Sequence, residues 1–123
     1  MRFVNLTPHK VKVIVAEKTG IVYESAGSPI YLGREFRDIY VGEVTISQCI
    51  YSVDASALPP PKDCTWYIVP KIVRDAFRDK RNDLISPGTN PGVDGAIVKN
   101  GKIVSVRRFR LPDKFVFSDE NEN

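Results

Sequence analysis

The chain has 123 residues, 42% of them hydrophobic, with 18 Lys and Arg against 15 Asp and Glu, nine Pro, two Cys and one His. That length predicts one domain able to bury a core without disulfide or metal support. It has no run of about 18 apolar residues and no N-terminal targeting stretch, so a soluble protein of the cytoplasm is expected, with no membrane partner.

Cys49 and Cys64 each lie alone in an apolar stretch, which predicts two buried free thiols. Together with His9 they are too few for a zinc site, so neither metal nor cofactor is expected. A single imidazole also argues against a histidine-based hydrolase.

Taken in chain order, strand signals come first. Val11, Val13 and Val15 alternate as in a half-buried strand that follows the turn former Thr7-Pro8, and Thr19-Gly20 reads as a turn. Short apolar runs at 21–23, 30–32, 39–41, 44–46 and 49–53 are separated by Gly, Ser, Pro or charged residues, the spacing of an antiparallel sheet. Pro59, Pro60 and Pro61 make 58–62 a stiff connector. Residues 66–69, Trp-Tyr-Ile-Val, show no alternation and predict a central strand covered on both faces.

After Pro70 the period becomes helical. Ile72, Val73, Ala76 and Phe77 share one face, Arg74, Asp75, Arg78, Asp79 and Lys80 form a solvated, ion-paired remainder, and Asn82-Asp83 ends the helix. Residues 86–92 form a loop dense in turn formers. Asn100-Gly101 predicts a type I′ hairpin between strands at 96–99 and 102–109. The expected fold is α+β: a mainly antiparallel sheet with one principal helix and a C-terminal β-hairpin, in a single domain over 1–117 followed by a flexible acidic tail, 118–123.

Charge is uneven. Residues 1–70 hold seven basic and seven acidic side chains, whereas 71–123 hold 11 and eight. Lys99, Lys102, Arg107, Arg108, Arg110 and Lys114 are opposed locally only by Asp113, a cluster that suits an anionic partner or a solvated strand face. On a continuous final strand Arg108 and Arg110 share one face, about 6.6 to 7 Å apart, a spacing that fits two phosphates. Phe109 then lies on the opposite face beside Arg107, either as an aromatic surface for a base or as core. Asn90 in the 86–92 loop offers a donor and an acceptor to a base or ribose edge. The P-loop and dinucleotide-binding patterns are both absent.

Several short stretches resemble one phage family. They are 3–9 (Phe-Val-Asn-Leu-Thr-Pro-His) with the 11–13 strand, 67–69 before the helix, 81–84 (Arg-Asn-Asp-Leu), Pro87-Gly88, and 101–104 (Gly-Lys-Ile-Val) before the arginines. In these the chain resembles the Thoeris anti-defence phage proteins of the first type. The resemblance implies a sponge acting in the cytoplasm of an infected bacterial host. Such a sponge is not an enzyme. It sequesters, without cleaving, cyclic ADP-ribose isomers made by TIR-domain proteins, and cyclic di- or trinucleotides in some members. It also implies a homo-oligomer, dimer or hexamer, with ligand contacts on Asn90, Arg107, Arg108, Arg110 and an aromatic residue, either Phe77 or Phe109.

Tight retention of a ligand of about 35 heavy atoms, at roughly 0.3 kcal/mol per atom, requires an enclosed pocket. The 86–92 loop or a second subunit is expected to close it. The competing readings are a small single-stranded nucleic-acid-binding module and a cyclic-nucleotide hydrolase. A stable nucleic-acid partner is not expected, because the basic cluster is short.

Overall fold

The computed structural model describes residues 1–16, 19–27 and 30–118. The elements in order are β1 (Arg2–Asn5), β2 (Val11–Ala16), β3 (Thr19–Tyr23), β4 (Leu32–Val41), β5 (Val44–Val53), a single 3-10 turn (Ala55–Ala57), β6 (Thr65–Ile68), α1 (Lys71–Ala76), β7 (Leu84–Pro87), β8 (Ile97–Lys99), β9 (Lys102–Ser105) and β10 (Phe109–Arg110). The architecture is α+β, with one short helix and mostly antiparallel pairing. Its centre is a mixed sheet of order β1-β6-β7-β10, parallel between β1, β6 and β7 and antiparallel between β7 and β10. β2–β3, β4–β5 and β8–β9 are separate antiparallel ribbons.

β6 is the central strand, and its residues Tyr67 and Ile68 are buried because β1 and β7 flank it. Leu6, Ile30, Leu58, Tyr67, Val69, Val73 and Leu84 form the core, with Val4, Leu32, Val53 and Phe77 packed against it. The proline-rich connector is tied into this core. Leu58 is buried, and the Tyr67 hydroxyl donates to the Pro60 carbonyl at 3.1 Å.

Asn5 closes the N-terminal corner. Its Nδ2 donates to the carbonyls of His9 (2.8 Å) and Tyr23 (2.9 Å), and its Oδ1 accepts from the Thr7 N–H (2.9 Å) and hydroxyl (2.6 Å). The Asn-Leu-Thr-Pro-His stretch is therefore a clip that joins the end of β1 to β3.

Several expectations are corrected. The apolar runs at 39–41, 44–46 and 49–53, with Leu32 from the 30–32 run, are parts of two ten-residue strands, joined by a two-residue turn in which Gly42 takes φ +61°. Arg34, Glu35, Arg37 and Asp38 hide this continuity, since a ribbon solvated on both faces needs no apolar alternation. Thr19 and Gly20 are paired residues of β3 rather than its preceding turn.

The helix stops at Ala76 and not at Asn82-Asp83. Lys80 and Arg81 occupy the positions that would extend its apolar face, so another turn would bury nothing. The Phe77 carbonyl instead accepts from the Lys80 and Arg81 N–H groups in a tight turn. Arg74 is not solvated. It is buried against Ser86 and Asp75, with bonds of 2.8 to 2.9 Å.

Cys64 is exposed in a turn at φ +54° and Cys49 is half-buried on β5; both are free. The hairpin turn at Asn100 (φ +54°) and Gly101 (φ +76°) follows the sequence expectation. Of the expected acidic tail only Ser118 lies among the described residues.

Candidate functional site

The loop after β7 is built by two side chains. Asn90 Oδ1 accepts from the N–H groups of Gly92 (2.8 Å) and Val93 (3.0 Å), while its carbonyl accepts from those of Asp94 (3.0 Å) and Ala96 (3.3 Å). Asp94 replies with Oδ2, which accepts from the Asn90 N–H at 3.1 Å. Its Oδ1 accepts from Arg110 Nε at 2.6 Å and pairs with the terminal guanidinium nitrogen, which pins the loop to β10.

Gly88 makes that approach possible. A Cβ there would lie 2.8 Å from Asp94 Cγ and 3.1 Å from Arg108 Cγ. Burial pushes the Asp94 carboxyl upward, but the Asn90 N–H, Arg110 and the more distant Arg108 outweigh it and hold the group below its ordinary value of 3.8.

Beside this loop lies a cleft of about 310 Å³. Lys71 and Arg74 of α1 line one side, Thr89, Asn90 and Asp94 the loop side, and Arg110 and Asp113 the third. Arg74 is engaged by Asp75 and Ser86, and Arg110 by Asp94. Lys71 forms no ion pair among the described residues, so it is the cation left for an anion. The Asn90 oxygen belongs to the turn, and its Nδ2 makes no hydrogen bond among the described residues.

Of the six expected contact residues, Asn90 and Arg110 meet in this cleft. The other four do not, and for Arg107, Arg108 and Phe109 the final strand is broken. β9 ends at Ser105, Val106 bridges to Val13 of β2, and pairing resumes in β10 against β7. Arg108 therefore lies outside both strands while Arg110 is paired in β10, and both act on the Asp94 carboxylate. Arg107 is exposed and its Nε donates to the Gly95 carbonyl at 3.1 Å. Arg108 is exposed, with its stem against Gly88.

Phe109 stacks on Phe3, with centroids 5.8 Å apart and planes at 20°, and meets Tyr23 at 6.1 Å, so it is a packing residue. Phe77 packs against the core. The sequence reading missed Lys71, Arg74, Thr89 and Asp94. For Asp94 a signal existed, because Asn90-Pro91-Gly92 is an Asx-turn sequence that asks for a partner a few residues on.

A second cleft of about 360 Å³ adjoins the first at Asp113 and has Trp66, Arg78, Arg81 and Lys114 in its wall. Arg78 donates to the Asp113 carbonyl and lies over the Phe115 ring at 5.8 Å. Arg81 is held by Asp83 at 2.8 to 2.9 Å, and that carboxylate raises its pKa in spite of partial burial. A third cleft, about 450 Å³, reaches Met1, Cys64 and Trp66 and contains none of the expected residues. Among the described residues no three His, Cys, Asp or Glu side chains gather as a metal site, and no helix is long and apolar enough to cross a membrane.

No protein-family model, curated protein or solved structure matches the chain. The residues themselves carry the functional argument.

Proposed function

We propose that this chain binds and retains, without cleaving, a compact nucleotide carrying two phosphates, seated in the cleft between α1 and the Asn90 loop. The observation that carries the reading is the convergence of Lys71, Thr89, Asn90 and Arg110 on one cleft of about 310 Å³. Lys71 meets a phosphate as an unpaired ammonium, and Arg110 adds its remaining N–H donors beside Asp94. Thr89 and the Asn90 amide offer hydrogen bonds to a ribose or base edge.

Pockets that enclose a ligand of about 35 heavy atoms span roughly 300 to 1,000 Å³, and this cleft stands at the lower bound. It would hold part of such a ligand, with the remaining wall supplied by a second copy. Following the resemblance to Thoeris anti-defence proteins, the proposed ligands are cyclic ADP-ribose isomers, with cyclic di- and trinucleotides as a second class. The proposed role is sequestration by a homo-oligomer in the cytoplasm of an infected bacterium.

The test is capture. Purified protein is incubated with a panel of these compounds, freed of unbound ligand and heat-denatured, and the released molecules are identified by mass spectrometry. Near-stoichiometric release of one intact compound supports the proposal. A cleaved product would make the protein a hydrolase, and binding only of single-stranded nucleic acid, with a steep salt dependence, would make it a nucleic-acid module. Either result, or no release at all, overturns the sponge.

A further inference from the structure

Beyond its base, where Leu32 and Val53 pack against the core, the β4–β5 ribbon carries exposed apolar side chains on both faces. Tyr31, just before β4, is 75% exposed, and within the ribbon Phe36 (64%), Tyr40 (71%) and Tyr51 (40%) share one face. Ile39, Val41, Val44 and Ile46 lie exposed on the other face at the tip. A lone two-stranded ribbon is at best marginally stable in water, and a long apolar edge strand is a template for pairing. At roughly 200 Å² per aromatic side chain, the four aromatics alone leave about 500 Å² in water.

The charge order on β4 selects the partner. Pairing runs in register from Leu32↔Val53 to Val41↔Val44 around the Gly42-Glu43 turn. A two-residue turn makes its flanking pair, Val41–Val44, a hydrogen-bonded one. Alternation along the strand then directs the N–H and C=O groups of Leu32, Arg34, Phe36, Asp38 and Tyr40 away from β5, to the unpaired edge.

Residues 34–38 read Arg-Glu-Phe-Arg-Asp. In a two-fold antiparallel pairing centred on Phe36, Arg34 faces the partner's Asp38 and Glu35 faces the partner's Arg37. Centring the axis on any of the other four residues sets a charge directly against its own copy, which is unfavourable. Only the Phe36 register is self-complementary, and it is also one whose central pair has its hydrogen-bonding groups on the outer edge.

We propose that the outer edge of β4 is the contact surface for a second copy of this chain, joined about a two-fold axis at Phe36 into a continuous sheet β5-β4-β4-β5. Leu32 then lies opposite the partner's Tyr40, and Tyr31 opposite the partner's Val41. The tip of each arm thereby pairs with the base of the other, so that Tyr31, Leu32, Tyr40 and Val41 each gain an apolar cross-strand neighbour. The inference names the surface through which a second copy binds; it does not rest on the nucleotide reading, since it uses no residue of the cleft.

Sedimentation equilibrium of the full chain without ligand tests it. A mass of twice 13.8 kDa is expected at micromolar concentration, or a higher assembly that contains this dimer. Arg34→Asp and Asp38→Arg each set like charges opposite one another and should raise the dissociation concentration at least tenfold. The double variant restores attraction across the axis and should return it to within a fewfold of wild type. Within one chain positions 34 and 38 are four residues apart on the strand and do not touch, so recovery by the double variant is a signature of this register and not of folding. A monomer at 100 μM, an assembly indifferent to Arg34→Asp, or a double variant no better than the single ones would overturn the inference. Because no ligand is present, failure here leaves the capture test of the cleft unaffected.

Discussion

The corner around Asn5 and the β4–β5 ribbon obey opposite rules. At the corner each polar atom of one buried side chain is matched to a neighbour, and the adjoining core is apolar. Along the ribbon polar and apolar side chains alike face water, and among the described residues one side-chain bond, Ser47 to Asp38, crosses it. The contrast separates a part of the molecule that carries its own stability from one whose order depends on what it touches. Substitutions in the first should change the stability of the isolated chain, whereas those in the second should change association.

The largest loss is expected at the corner. Asn5→Ala strips partners from the Thr7 N–H and from the carbonyls of His9 and Tyr23, and should cost about 3 kcal/mol in urea unfolding. Arg74→Ala leaves the buried Ser86 hydroxyl without its donor. Its cost should be about 2 kcal/mol, limited because Asp75 is partly exposed and can be hydrated. Tyr67→Phe removes only the bond to the Pro60 carbonyl and should cost about 1 kcal/mol by the same measurement.

A smaller effect belongs to the Asn90 loop, and it has a definite sign. The folded Asp94 carboxyl titrates below its ordinary value, so its contribution is present above pH 3.8 and is lost as the pH falls through the lower folded value. Asp94→Asn should flatten the acid limb of stability in that window, read by unfolding at a series of pH values. Smallest is Ser47→Ala on the ribbon, which should stay within about 0.5 kcal/mol. A cost as large as that of Asn5→Ala there would erase the distinction between the two regions.

What was legible in the sequence follows the same division. Period and turn chemistry revealed β2, the central strand β6, the helix start after Pro70 and the Asn100-Gly101 turn, because each is set by local chemistry or by burial. The ribbon was legible only as fragments, since strands without a buried face have no reason to alternate. At the site the loop and Arg110 were visible, but their neighbours Lys71 and Thr89 were not. The helix start that carries Lys71 was legible, but its placement beside the Asn90 loop is set by tertiary packing. The break after Ser105 was also hidden: Arg107, Arg108 and Arg110 keep strand spacing in sequence, while Val106 is drawn onto β2 and ends the continuous strand.

The most direct measurement of the central claim is the capture assay repeated with Lys71→Glu beside Lys102→Glu. Both change one exposed lysine to an acid, but only the first lines the cleft. Lys71→Glu should lose the intact bound nucleotide at least tenfold while Lys102→Glu keeps wild-type yield. Equal retention by both variants would contradict the seat of the ligand between α1 and the Asn90 loop.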